Sequence, residues 1–171
     1  MRAASLADAD RLALIGSATF LETFAGVLDG DAIAAHCERE HNASTYRNRL
    51  EAGVDAWLVE AASGRAPIGY LLLGRPDLPG STGDGDIEIK RIYTLSRFHG
   101  SGIGAALMQC AVEEARQRAC RRILLGVYRG NERALAFYAK NGFREVADRR
   151  FRIGDREYDD AVLAKDVDRN P

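Results

Sequence analysis

The sequence predicts a mixed α/β (α+β) fold, with one mostly antiparallel central sheet of about six to seven strands and helices on both faces. Three observations carry this. Segments of helical period open the chain and lead into a hairpin pattern. A strand, a glycine-rich loop and an amphipathic helix follow. The chain then closes on strand, helix and a second hairpin. One sheet covered by helices satisfies that order of periods. A chain of 171 residues suits one domain spanning 1–171, with enough volume for a real core.

The elements justify themselves in order. Leu6, Leu12, Ile15 and Phe20 sit among polar residues at roughly helical spacing, so a helix is expected to about Phe24, with room for a short first strand before it. Asp29-Gly30-Asp31 breaks the chain, and Asp31 is placed to cap a second helix through about Glu40. Ser44 to Glu51 reads as a third helix, ended by Gly53. The apolar runs Ala56–Ala61 and Ile68–Leu73 flank the turn residues Ser63-Gly64-Arg65-Ala66-Pro67, which predicts an antiparallel hairpin. Arg75 to Asp86, rich in proline and glycine, is a surface loop.

Ile87 to Leu95 is rich in β-branched and aromatic residues and should be a strand. After His99-Gly100-Ser101-Gly102-Ile103-Gly104, the residues Ile103, Leu107, Ala111 and Ala115 recur at every fourth position, giving an amphipathic helix to about Ala119. Ile123–Val127 is a buried strand. Asn131 caps a helix carrying Ala134, Leu135, Phe137 and Tyr138, and Asn141-Gly142 ends it in a left-handed cap. Phe143–Phe151 and Glu157–Ala164 flank Gly154-Asp155 as a final hairpin.

Composition narrows the function. The formal net charge is -1, so no global basic field argues for nucleic acid as a partner. No apolar run reaches the roughly 18 residues of a membrane helix, and Asp8 and Asp10 interrupt the N-terminus before any secretory core could form. A cytoplasmic protein is expected. Cys37, Cys110 and Cys120 are unevenly spaced and odd in number, as reduced structural cysteines are. His36, Cys37 and His41 have no further ligand at structural-zinc spacing, so no metal is expected and the cluster should be solvated or capping.

The glycine loop carries the strongest chemical signal. Glycines at 100, 102 and 104 allow consecutive N–H groups to line one concavity. The helix that follows adds free N–H groups and its positive dipole end, which suits a pyrophosphate. Arg97 can add a charge-assisted contact. The alternative is a tight turn with close packing. A dinucleotide fingerprint also fits loosely, but the next strand, Leu124-Leu125-Gly126-Val127-Tyr128, lacks the acid that pattern needs.

Two motifs together carry a resemblance. Arg97-x-x-Gly100-x-Gly102-x-Gly104, followed by Asn131 to Tyr138 and then Asn141-Gly142-Phe143, is similar to the coenzyme A motifs of the GNAT superfamily of N-acetyltransferases. More narrowly, Thr19–Phe24, Ile87–Tyr93, Gly126-Val127-Tyr128 and Phe151-x-Ile153-Gly154-Asp155 resemble bacterial polyamine acetyltransferases of the PaiA type, with Tyr128 where that group has tryptophan. The resemblance implies a roughly seven-stranded sheet and a parallel pair that splays at the cofactor. It implies acceptor-side helices at about 6–51 and an acetyl-CoA-binding core at about 55–164. Ile92, Tyr93 and Thr94 would pair with the pantetheine arm. Arg97, His99, Gly100, Ser101, Gly102, Ile103 and Gly104 would hold the pyrophosphate, and Asn131, Ala134 and Tyr138 would touch the cofactor. The acceptor would be a small-molecule amine, with a homodimer compatible.

Acetyl transfer requires a neutral amine, and an alkylammonium of pKa about 10.4 is deprotonated about once in a few thousand molecules at neutral pH. Glu88 is the candidate general base, four residues before the pantetheine-pairing Ile92, with a water between it and the amine as one route. Its other reading is an ion pair with Arg91 or Lys90, or a solvated face. Tyr138 is the candidate general acid toward the departing thiolate, and its other reading is a core tyrosine beside Phe137. Glu22, Asp29, Asp31, Asp84 and Asp86 are the acids available to attract a cationic acceptor. A protein or peptide amine acetyltransferase, and a non-catalytic acyl-CoA sensor of the same fold, remain as alternatives.

Overall fold

The computed structural model of the chain describes residues 1–83, 85–153 and 156–167. Seven strands and five α-helices follow in the order β1 (Arg2–Ala3), α1 (Ala9–Phe24), α2 (Gly30–Glu40), α3 (Ala43–Glu51), β2 (Asp55–Glu60), β3 (Pro67–Gly74), β4 (Asp86–Thr94), α4 (Ile103–Gln117), β5 (Arg122–Tyr128), α5 (Glu132–Lys140), β6 (Arg144–Ile153) and β7 (Arg156–Asp166). The strands form one sheet in the order β1-β2-β3-β4-β5-β7-β6. β4 and β5 are its parallel pair, joined by the α4 crossover. The expected mixed α/β sheet is therefore what the chain forms. The Gly154-Asp155 turn lies outside the described residues.

The chain divides into two compact units, Met1–Leu73 with Arg91–Gln109, and Gly74–Lys90 with Cys110–Pro171. In the first, α1 and α3 bring Leu12, Ile15 and Tyr46 onto Leu58, Tyr70 and Leu72 of the β2–β3 hairpin, and these six side chains are essentially inaccessible. In the second, β5, β7 and β6 form an antiparallel ribbon whose register runs from Arg122↔Asp166 to Tyr128↔Asp160 between β5 and β7. Leu78 of the loop before β4 closes over Leu124, Val162 and Ala164 of that ribbon.

Three local expectations are corrected. Asp29, not Asp31, caps α2: its carboxylate accepts from the N–H groups of Asp31 and Ala32. An N-cap must sit outside the helix with extended backbone, and the chain meets that condition two residues early. Asn42 caps α3 in the same way, so that helix starts at Ala43. The histidines are neither solvated nor capping through their side chains. His36 stacks on Phe20 with ring centroids 4.1 Å apart, and His41 Nδ1 lies 2.8 Å from the Tyr46 hydroxyl. Burial, aided by Arg91, holds His36 at about 4 and His41 at about 3, so both stay neutral at physiological pH. Gly16 makes the room, because a Cβ there would stand 2.2 Å from the Tyr46 hydroxyl and 2.3 Å from His41 Nδ1.

Candidate active site

The strand, loop and helix follow one another as expected, with Gly100 and Gly102 in the loop and Gly104 within α4. β4 ends at Thr94, a single 3-10 turn covers Ser96–Phe98, and α4 begins at Ile103. Gly100 and Gly102 have φ of 82° and 87°, a region costly to side-chain-bearing residues. A Cβ at either position would meet nothing within 4 Å, so neither glycine is there for close packing. They leave open space where the first N–H groups of α4 lack intrahelical acceptors. Residues of this kind fit a diphosphate, and Arg97 is exposed beside them, its guanidinium 5.4 Å from the centroid of the Phe98 ring.

Two side-chain bonds add to the backbone bonds of the loop. The His99 ring nitrogen Nε2 lies 3.1 Å from the Thr94 carbonyl, which brings two of the expected cofactor residues together. Ser101 Oγ donates to the Phe98 carbonyl at 2.6 Å. A further tie comes from α1. Glu22, at the end of α1, accepts from Ser96 N–H at 2.7 Å and from Ser96 Oγ at 3.1 Å. The sequence offered only its acidity as a signal, since the partner lies 74 positions away. Tyr93 turns its ring into the first unit's aromatic cluster, stacked 6.1 Å from Tyr70.

Glu88 sits early in β4, whose parallel register with β5 pairs Asp86, Ile87 and Glu88 with Arg122, Ile123 and Leu124. Ile92 and Thr94 lie beyond that register on the same strand. Glu88 is 5% exposed, and its Oε2 accepts from the Asp77 backbone N–H at 2.9 Å and from Lys90 Nζ at 2.8 Å. Burial pushes its carboxyl above the ordinary glutamate range, while Lys90 and the Asp77 N–H pull the other way. The Lys90 ion pair weighed from the sequence is therefore present, together with the raised affinity for a proton that general-base work needs.

Asn131 accepts from Ala134 N–H at 3.1 Å, so the cap of α5 is made by the expected pair. The helix ends in a Schellman motif: Phe143 N–H donates to Tyr138 C=O at 3.1 Å and Gly142 N–H to Ala139 C=O at 3.0 Å, with Gly142 at φ 84°. Tyr138 is buried between Phe137 and Phe143, edge-on to both at 5.5 and 5.8 Å. The motif thus fixes Tyr138 through its own carbonyl and its ring.

Most of the acids expected to attract a cation have other work. Glu22 holds Ser96, Asp29 caps α2, and Asp86 is paired with Arg122 at 2.7 Å with no exposed side-chain surface. Asp31 is exposed in the first turn of α2, and Asp84 lies outside the described residues. The three thiols are half-buried, and burial raises each above its usual range, so they remain protonated. Among the described residues no three His, Cys, Asp or Glu side chains gather as a metal site. No described helix is long and apolar enough to cross a membrane.

Comparison with known proteins adds a family. The sequence model of the acetyltransferase (GNAT) family matches residues 23–143. An N-acetyltransferase of Mycobacterium tuberculosis, itself uncharacterized, is 32% identical over 162 residues, which is 95% of this chain and 99% of the relative. The crystal structure of PaiA N-acetyltransferase from Thermoplasma acidophilum, in complex with coenzyme A, superposes with a TM-score of 0.75 at 21% identity over 96% of each chain. A ribosomal-protein-alanine N-acetyltransferase from Brucella melitensis superposes with a TM-score of 0.71 at 24% identity, over 97% of this chain and 98% of that one.

Proposed function

The chain belongs to the GNAT family of acetyltransferases, and from that premise we propose that it acetylates the primary amine of a small molecule by direct attack. It is an acetyl-CoA-dependent N-acetyltransferase. In our reading the pyrophosphate rests on the Gly100–Gly104 loop and the first turn of α4, with Arg97 beside it. The pantetheine arm lies along Ile92–Thr94, and Asn131 and Ala134 touch the cofactor from the start of α5.

The amine nitrogen attacks the thioester carbonyl. A C–N bond forms and the C–S bond breaks. Glu88 takes one ammonium proton, directly or through a water, Tyr138 gives its phenolic proton to the thiolate, and the second proton shed by the nitrogen after attack restores the phenol. The products are an acetamide and free coenzyme A. The cofactor contributes the activated acyl group, and this chain's part is to place and deprotonate the amine. The observation that carries the reading is a carboxylate kept almost wholly buried on β4, where the parallel register stops, with its proton affinity raised by that burial.

Polyamines are the acceptor class that the motif resemblance points to. The acids of the chain add little to that class, since Glu22, Asp29 and Asp86 are engaged elsewhere. The test is thiol release from acetyl-CoA with the purified chain and a panel of diamines, amino acids and peptide N-termini. Turnover on at least one small amine, lowered about 100-fold or more by Glu88→Gln and lowered in kcat by Tyr138→Phe with little change in acetyl-CoA affinity, is expected. Unchanged rates in both variants would remove these residues from the reaction. Acetyl-CoA binding with no turnover on any amine would favour a sensor.

A further inference from the structure

β5 lies inside the sheet, between β4 and β7, yet Gly126 in its middle is exposed while Leu125 and Val127 beside it are buried. A Cβ on Gly126 would stand 3.4 Å from Arg149 Nη2, 3.5 Å from its guanidinium carbon and 3.5 Å from Leu78 Cδ2. The guanidinium therefore lies over the bare backbone of a central strand. Arg149 belongs to β6, where it pairs with Asp160 of β7, so its side chain crosses β7 to get there.

The register puts this guanidinium on the face of Glu88. Glu88 pairs with Leu124, and Gly126 is two residues further along β5, hence on the same side of the pleat. Strand spacing and rise place Gly126 about 8 Å from Glu88, measured between Cα positions. An extended amine with a second polar group has about that reach.

Arg149 is held by more than packing. Its Nη2 donates to Asp160 Oδ2 at 2.8 Å, and Asp160 is 5% exposed. Its guanidinium carbon sits 5.4 Å from the centroid of the Phe151 ring. Despite these anchors the side chain keeps 32% of its surface open, and its Nε is buried without a hydrogen-bond partner among the described residues. An arginine fixed by a buried carboxylate, with its guanidinium partly open beside the bare backbone at Gly126, is suited to a planar anion. A second ammonium on the acceptor would meet this cation instead.

We propose that Arg149 determines acceptor specificity by holding a carboxylate of the acceptor while its amine faces Glu88, so that the favoured acceptors are amino carboxylates. The inference rests on the acetyl-transfer role proposed for Glu88 and narrows the acceptor class. Asp160 and Phe151 are positioning residues in this arrangement.

The experiment compares three four-carbon amines, γ-aminobutyrate, n-butylamine and putrescine, in thiol release by the wild-type chain and by Arg149→Gln, with thermal unfolding as a fold control. Wild type should favour γ-aminobutyrate over n-butylamine by about 10-fold or more in kcat/KM. In Arg149→Gln that ratio should fall about 10- to 100-fold, carried by the KM for γ-aminobutyrate. Arg149→Lys keeps the charge without the fork and should recover part of the ratio, which also serves if the glutamine variant does not fold. A wild-type preference for putrescine, or an equal loss on all three amines, overturns the proposal while leaving acetyl transfer intact. Undiminished turnover in Glu88→Gln would instead sink the site reading on which it rests.

Discussion

Two glycine-rich loops leave the sheet, and they use glycine in opposite ways. The loop after β4 carries Gly100 and Gly102 at positive φ with nothing around the missing Cβ. The loop after β3 carries Gly80 and Gly85 at positive φ with their surroundings filled, by Ala147 at 3.4 Å and by Arg121 at 2.7 Å from a would-be Cβ, while Gly83 between them, far from any helix start, takes a positive φ in open space. The second loop is also bound shut. Arg122 donates to the Gly80 carbonyl at 3.0 Å and to Asp86, and Asp86 accepts from Thr82 N–H at 2.7 Å. Glycine with empty space at a helix start prepares for a ligand, whereas glycine in filled space serves packing. Composition alone does not tell the two apart.

The largest break should come from the packed loop. Asp86→Ala removes the buried partner of Arg122 and the acceptor for Thr82, and should cost about 3 kcal/mol of stability, read as a shift in urea midpoint. Its pH dependence checks the cause. Arg122 holds the Asp86 carboxyl at about 2, below the ordinary aspartate range. A carboxylate with a lowered folded pKa stabilises above its unfolded pKa and loses that stability as pH falls through the folded one. The wild-type chain should therefore weaken toward pH 2 more steeply than Asp86→Ala. Equal acid sensitivity would show that the loop is held by something else.

The open loop should break in the opposite manner. Gly102→Val places a side chain where a phosphate must approach and strains a left-handed backbone, so acetyl-CoA affinity should fall about 100-fold in calorimetry. The melting temperature should fall by less than in Asp86→Ala, since the new side chain meets no protein atom. Normal affinity in a folded Gly102→Val protein would contradict the comparison at its centre.

The sequence revealed what is local. The Gly100–Gly104 spacing, the Asn131 cap and the Asn141-Gly142 stop are signals contained within a few residues, and the structure builds each of them there. The parallel pair β4 and β5 is what the family resemblance implies, and the sheet contains it. What stayed hidden depends on long-range partners. Arg149 with Asp160 requires the β6–β7 register, His36 and His41 require α1 to lie beside them, and the Asp77 N–H reaches Glu88 only after the loop folds back. Periodicity gives a residue its face but not its neighbour. The shift of the α2 cap from Asp31 to Asp29 has a different root, since two aspartates flanking Gly30 carry equal local signals.

A smaller effect sharpens the packed loop's link to chemistry. That loop brings the Asp77 N–H to Glu88, and Asp77 also pairs with Lys90 at 3.0 Å. Lys90→Met removes the cation that lowers the Glu88 pKa, so that pKa should rise further. The base form is then lost at higher pH on acidification, and the acid limb of kcat/KM should move up by about one pH unit. A limb that stays put, or moves down, would mean that a different group supplies the base.

The smallest effect tests the hydrogen-bonded tie between the open loop and α1. Glu22 accepts two hydrogen bonds from Ser96, at the first residue of the turn that carries Arg97. Glu22→Gln retains an acceptor oxygen but drops the charge, and the site is exposed, so the loss should be about 0.5–1 kcal/mol. Two outcomes separate the roles open to this acid. If it steadies the loop, the KM for acetyl-CoA rises about two- to five-fold with the acceptor KM unmoved, and the difference shrinks as salt is raised. If it instead draws a cationic amine, the acceptor KM rises and the acetyl-CoA KM stays. The bonds to Ser96 occupy both carboxylate oxygens, so the first outcome is the one expected; the second would mean that the open loop is held by its own backbone bonds and needs no help from α1.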